Sequence, residues 1–111
     1  MTFRQFEVVK VPFPFTDRTA IKTRPALILS NEKLFNLKVG HSLLAMITSA
    51  KNSVWPLDIN IIDLKIAGLP AASIVRMKLF TLDHRLIIDT LGKLSHQDVI
   101  NVKNALNRLL N

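Results

Sequence analysis

Pro25-Ala26-Leu27-Ile28-Leu29-Ser30 reads as a β-strand with no wet face. Its unbroken apolar run shows none of the alternation of a half-exposed strand, so both sides are expected to be covered. Pro25 stands near its start, where a missing N–H is tolerated. Upstream, Val8-Val9-Lys10-Val11-Pro12-Phe13 is a second β-branched run. Pro12 and Pro14 cannot donate to a ladder, which sets the end of that strand at an edge or a bulge. The polar, basic stretch from Phe15 to Thr23 is long enough to project as a loop between the two. Downstream, Asn31 to Asn36 reads as a short helical turn or loop. Ser42-Leu43-Leu44-Ala45-Met46-Ile47-Thr48 follows Gly40 as a third strand.

Beyond these strands, Ala50 to Pro56 reads as a second exposed loop. Leu57-Asp58-Ile59-Asn60-Ile61 alternates with the period of a half-buried strand. Gly68-Leu69-Pro70 is a turn. Ser73 to Leu82 and Leu86 to Leu94 are further strand-like runs, broken by Asp83-His84-Arg85. The end of the chain changes period. Ser95 is an N-cap with Asp98 three positions on, like a capping box. Val99, Val102, Leu106 and Leu109 then fall on one helical face. Several short strands followed by one helix predict a mainly-β barrel, closed or buttressed by that helix. The chain of 111 residues, without linker, repeat or low-complexity segment, is expected to be one domain, 1–111.

Composition bounds the function. Hydrophobic residues make up 49%, enough for a packed core and too many for a disordered chain. Fifteen Lys and Arg against eight Asp and Glu leave a formal charge of +7. Such a charge on a small domain favours an acidic partner, nucleic acid or acidic protein, without choosing between them. With no cysteine, disulfides, a thiol nucleophile and a Cys-type zinc site are excluded. The start of the chain has no uninterrupted apolar signal segment, and no apolar run reaches the roughly 18–20 residues that span a bilayer. A soluble, cytoplasmic protein without membrane contact is expected. His41, His84 and His96 fall in a turn, a connection and a first helical turn, and no His/Asp/Glu group shows ligand spacing. No metal and no cofactor are expected.

Read in order, these segments resemble MazF/PemK toxins. Glu7-Val8-Val9-Lys10-Val11-Pro12-Phe13-Pro14-Phe15-Thr16-Asp17 is similar to the opening strand and loop of that family. Thr23-Arg24-Pro25-Ala26-Leu27-Ile28-Leu29-Ser30-Asn31 is similar to its second strand with the Arg-Pro pair, and Met46-Ile47-Thr48-Ser49 to its third. Gly68-Leu69, Ser73-Ile74-Val75-Arg76, Thr81-Leu82-Asp83 and Leu91-Gly92-Lys93-Leu94-Ser95 follow in family order. The resemblance implies an SH3-like barrel of the CcdB/MazF/PemK kind, about seven strands with a C-terminal α-helix. It also implies a homodimer, metal-free cleavage of single-stranded RNA, and a cognate acidic antitoxin. Two positions depart from the pattern. Phe6 stands where the family usually has Gly, and with its Cβ it is not expected to take the backbone conformations open to Gly. Thr19 stands where some members have a Glu implied to assist proton transfer.

Metal-free RNA cleavage uses the neighbouring 2′-hydroxyl as nucleophile. It needs charge stabilisation on the phosphoryl oxygens and proton transfers at the attacking and leaving oxygens. The resemblance points to Arg24 and Thr48 as the catalytic pair. A guanidinium meets two phosphate oxygens at once and stays charged, so Arg24 suits charge stabilisation and makes a poor base. The Thr48 hydroxyl can donate to a phosphoryl oxygen. Ser49 either adds a second hydroxyl or caps the turn. Phe15, Arg18, Lys22 and Lys51 are candidate RNA contacts, while Trp55 is read as packed into a dimer interface or core rather than stacked on a base. Two alternatives share the fold: a CcdB-type gyrase poison and an inactive nucleic-acid-binding barrel. Gyrase poisons act through the C-terminal end of the helix, often with a terminal aromatic that Arg108-Leu109-Leu110-Asn111 does not offer.

Overall fold

The computed structural model describes residues 2–13 and 22–111. Among them six strands form one curled antiparallel sheet: β1 (Glu7–Phe13), β2 (Lys22–Ile28), β3 (His41–Ser49), β4 (Ile59–Asn60), β5 (Ser73–Asp83) and β6 (Asp89–Lys93), in the order β4-β5-β3-β2-β1-β6. Two short helices, α1 (Leu37–Val39) and α2 (Leu64–Ala67), lie in its connections, and a longer one, α3 (His96–Leu110), follows it, so the half-barrel meets the mainly-β expectation with six described strands in place of about seven. Phe15, Arg18 and Thr19 lie outside the described residues.

The apolar run that opened the reading is covered on both faces. Leu27 and Leu29 join Val8, Ala45, Ile47 and Val75 in one core, against Val102 and Ala105 of α3. Ala26 and Ile28 join Val9, Val11, Leu44, Leu82 and Phe3 in a second core on the other face. Leu27 and Ile28 are fully buried, and each such side chain contributes roughly 1.5–3 kcal/mol. Pro12 lies in β1 beyond the last residue paired to β6, Lys10, so its missing N–H breaks no ladder.

The helix is anchored by charge as well as by apolar contact. Ser95 accepts a hydrogen bond from the Asp98 N–H, as an N-cap should. The buried Asp98 carboxylate does not return to the Ser95 backbone. It accepts from the Ile62 N–H at 2.9 Å, the Asp63 N–H at 3.1 Å and the Ser95 hydroxyl at 3.0 Å. That ties the start of α3 to the segment after β4. The apolar stripe ends sooner than its spacing implies: Val99, Val102 and Leu106 pack on the core, but Leu109 is 41% exposed.

Three local expectations are corrected. Phe6 does take a left-handed backbone, φ 68°. Its N–H donates to the Ile28 carbonyl, its carbonyl accepts from the Leu94 N–H, and its ring packs on the first core. Those contacts offset a cost of about 1–2 kcal/mol. The alternating run at 57–61 supplies only a two-residue strand, because Leu57 also sits at positive φ and turns the chain. The segment from Leu86 begins in a short 3₁₀ turn, His84–Leu86, and pairs only from Asp89.

Glycine is required at Gly68 for two reasons. Its φ is +73°, and an added Cβ would lie 2.1 Å from the Leu91 carbonyl oxygen; Gly40, at φ +67°, has open space around it. Gly40→Ala is therefore expected to lower unfolding free energy by about 1–2 kcal/mol, and Gly68→Ala by at least about twice that. Urea unfolding of the two variants, compared by midpoint at unchanged slope, checks the difference.

Candidate active site

Period two carries the second core's face past its apolar residues into polar ones. Ala26 and Ile28 face that core, and so Arg24 does too. Leu44 faces it on β3, and so Met46 and Thr48 do as well. The β2–β3 register pairs Ala26 with Met46 and Leu27 with Ala45. Carried two residues on, it sets Arg24 opposite Thr48. Both side chains line one cleft of about 170 Å³, shared with Phe13, Met46, Asn52, Trp55, Arg76 and Lys78. Both also border an adjoining hollow of about 220 Å³ with Pro25, Ser49, Leu69 and Pro70.

Arg24 is half-buried, and its guanidinium carbon sits 4.7 Å from the Phe13 ring centroid. This cation–π contact holds the charge without neutralising it. Thr48 is 8% exposed. The Asn52 side-chain amide donates to the Thr48 hydroxyl oxygen at 2.5 Å. With that oxygen accepting from Asn52, the hydroxyl keeps its own proton to donate. Ser49 borders the hollow, and its hydroxyl accepts from the Lys51 N–H, which makes it a turn cap. Lys51 and Lys22 are exposed and stand outside the lining of the cleft.

Phe13, Asn52, Trp55, Arg76 and Lys78 are cleft residues that the sequence reading did not assign there. The signal for Arg76 and Lys78 was two cations on one face of a strand-like run. What aims them is a bulge: Met46 pairs with Arg76 and Ala45 with Leu79, so Met77 and Lys78 have no partner on β3. Trp55 is neither core nor fully covered; it is 41% exposed beside the cleft. Arg76 is 8% exposed and pairs with Asp58 through two hydrogen bonds, 3.2 Å and 3.0 Å. Burial pushes the Asp58 carboxyl up, but the hydrogen bond and charge of Arg76 and the Trp55 N–H together hold it below the ordinary 3.8.

The histidines are elsewhere. His41 and His84 lie at the opposite end of β3 from Thr48, and His96 is exposed in the first turn of α3. Ser42, fully buried, is 2.7 Å from His84 Nε2, and burial first, then the nearby His41 charge, push the His84 pKa down. A larger groove of about 410 Å³ between β4 and α3 is lined by apolar side chains, three asparagine amides, Asp58 and Arg108, without a hydroxyl. Among the described residues no group of three or more His, Cys, Asp or Glu is placed to hold a metal, and no helix is long and apolar enough to cross a membrane.

A cationic cleft at the rim of a small curled β-sheet, backed by a C-terminal helix, defines the class. Within that class, the chain belongs to the PemK-like, MazF-like toxins of type II toxin–antitoxin systems, whose family model matches residues 4–110. No curated relative matches it significantly by sequence. Solved structures match its fold. One is an endoribonuclease in complex with its cognate antitoxin from a mycobacterial species, with 16% identity, 97% of this chain and 94% of that chain covered, and TM-score 0.76. Another is a MazE–MazF complex from Deinococcus radiodurans, with 19% identity, 99% and 97% covered, and TM-score 0.76. A third is MazF from the same organism, with 19% identity, 99% and 97% covered, and TM-score 0.74.

Because Asp58 is held below 3.8, its pairing with Arg76 is complete above that value and is lost as pH falls through the folded-state pKa. Trp55 is the single tryptophan and takes part in the same contacts. Its emission is expected to stay constant from neutral pH down to about pH 4 and to shift below it. Asp58→Asn is expected to lack that step while far-ultraviolet circular dichroism still reads folded.

Proposed function

We propose that this protein is a metal-independent, sequence-specific endoribonuclease toxin that cuts single-stranded RNA in the cytoplasm. It works as a homodimer and is restrained by a cognate acidic antitoxin. The observation that carries the reading is the meeting of Arg24 and Thr48 on one cationic cleft. The 2′-oxygen of the nucleotide before the cut attacks its phosphorus, and the bond from phosphorus to the 5′-oxygen breaks. The attacking 2′-hydroxyl gives up its proton, the leaving 5′-oxygen takes one up, and a 2′,3′-cyclic phosphate and a 5′-hydroxyl result. Arg24 binds the phosphoryl oxygens as negative charge builds on them. Thr48, its oxygen engaged by Asn52, donates a hydrogen bond to one of those oxygens. Lys78 adds positive charge at the cleft wall. The formal charge of +7 draws in the polyanion and favours an acidic antitoxin as the competing occupant.

Purified protein incubated with a long labelled RNA in EDTA is expected to cut it and leave cyclic phosphate ends. Arg24→Ala is expected to lower the cutting rate by about 10²–10³ with an unchanged melting curve. Binding without cutting would leave an RNA-binding barrel, and neither binding nor cutting would turn attention to a protein target such as gyrase. Near wild-type cutting by the variant would remove Arg24 from the mechanism.

A further inference from the structure

Three cations line the cleft, but they are not equivalent. Among the described residues neither Arg24 nor Lys78 has a carboxylate at ion-pair distance, whereas Arg76 is committed to the protein itself. Its Nε donates to Asp58 Oδ1 and its Nη2 to Asp58 Oδ2 and to the Ser53 carbonyl, the last at 2.5 Å. Its guanidinium carbon lies 5.0 Å from the Trp55 ring centroid. Asp58 in turn accepts from the Trp55 N–H at 2.8 Å. A single buried guanidinium on β5 thus grips the loop after β3 at Ser53, Trp55 and Asp58.

A buried ion pair is a poor route to stability, since apolar residues of similar size often do as well or better. What this one does provide is a fixed direction for one aromatic ring. One face of the Trp55 indole lies under the guanidinium, and the residue is still 41% exposed. Surface is left for a second flat ring beside the Arg24–Thr48 pair. Asn52 is held separately, by a turn in which its N–H donates to the Ser49 carbonyl. Loosening the grip of Arg76 therefore leaves the partner of Thr48 in place.

We propose that Arg76 and Asp58 are positioning residues that hold Trp55 as a stacking platform for one unpaired base next to the phosphate bound at Arg24 and Thr48. The proposal rests on the nuclease reading and adds to it: Arg76 governs how tightly the strand is held, and Arg24 governs how fast the bond breaks. Stacking tolerates any base face, so the platform fixes where a base sits and leaves its edge to be read by neighbouring groups.

Removing one charge of the pair would strand the other, so the test removes both, with Arg76→Met and Asp58→Asn combined. Random-sequence single-stranded DNA, which lacks the 2′-hydroxyl, serves as the uncut ligand, and a cut RNA gives kcat and KM. In the wild type the DNA is expected to quench Trp55 emission and shield it from acrylamide. In the double variant, acrylamide should reach Trp55 more readily in the free protein, and quenching by DNA should shrink. KM for RNA should rise about tenfold, with kcat changed less than about threefold, the loss of one stacked base. Adding Trp55→Leu to the double variant should raise KM no further, because the two changes remove the same platform.

A fall in kcat at unchanged KM would overturn the proposal, since Arg76 would then act on the reacting phosphate. Unaltered shielding of Trp55 and unaltered KM would overturn it as well. A wild type that cuts nothing but still shows DNA quenching dependent on Arg76 and Asp58 would end the nuclease reading and keep the platform. Absence of both cutting and quenching would end both.

Discussion

The pairing of Ala26 with Met46, Leu27 with Ala45 and Ile28 with Leu44 is the constraint on which the molecule rests. All six are buried on the two central strands: Leu27 and Ala45 in one core, Ala26, Ile28 and Leu44 in the other, and Met46 where the second face opens into the cleft. A slip of one residue between them would turn β2 over against β3, carrying Leu27 out of the core under α3 and driving Ala26 and Ile28 into it. The same slip would send Arg24 and Thr48 to opposite faces. The apolar packing that stabilises the sheet therefore also aims the guanidinium and the hydroxyl. No separate device is needed to bring them together, only two more residues of the same register.

That link explains what could be read in advance. The unbroken run Ala26 to Leu29 announced a doubly covered strand, and Ser95 with Asp98 announced the start of the helix. The polar residues at the ends of β2 and β3 inherit their direction from these apolar neighbours, so Arg24 and Thr48 were within reach of period-two reasoning. Other parts depend on contacts between distant segments. Phe6 holds a left-handed backbone only because Ile28 and Leu94 bond to it. Asp98 turns to residues 62 and 63 because their N–H groups need an acceptor there. The direction of Arg76 follows from a bulge on β5, and no local pattern announces a bulge. Asn52 reaches Thr48 across a turn whose geometry is set by Ser49.

The electrostatics of the cleft follow from where the Asp58 carboxylate goes. It pairs with Arg76, the most buried of the three cations that line the cleft. Desolvation makes an unpaired buried charge costly, so Arg76 has the greatest need of it. Arg24 instead rests on the Phe13 ring, which restrains a guanidinium without cancelling its field. Among the described residues the division leaves the half-buried Arg24 and the exposed Lys78 as the lining cations with no carboxylate at ion-pair distance.

The division also separates two tasks by the stiffness of what carries them. Arg24 and Thr48 belong to paired strands, opposite the buried Val11 and Ile74, where position is set by the core. Trp55 belongs to a loop whose direction is set by one ion pair and a cation–π contact, each open to change without disturbing either core. On the nuclease reading, chemistry placed on the sheet and recognition placed on the loop can vary independently. A substitution between Ala50 and Leu57 can redirect the platform toward a different base step while the guanidinium and hydroxyl keep their register. The reverse does not hold, because any change that shifts β2 against β3 disturbs the cores together with Arg24 and Thr48.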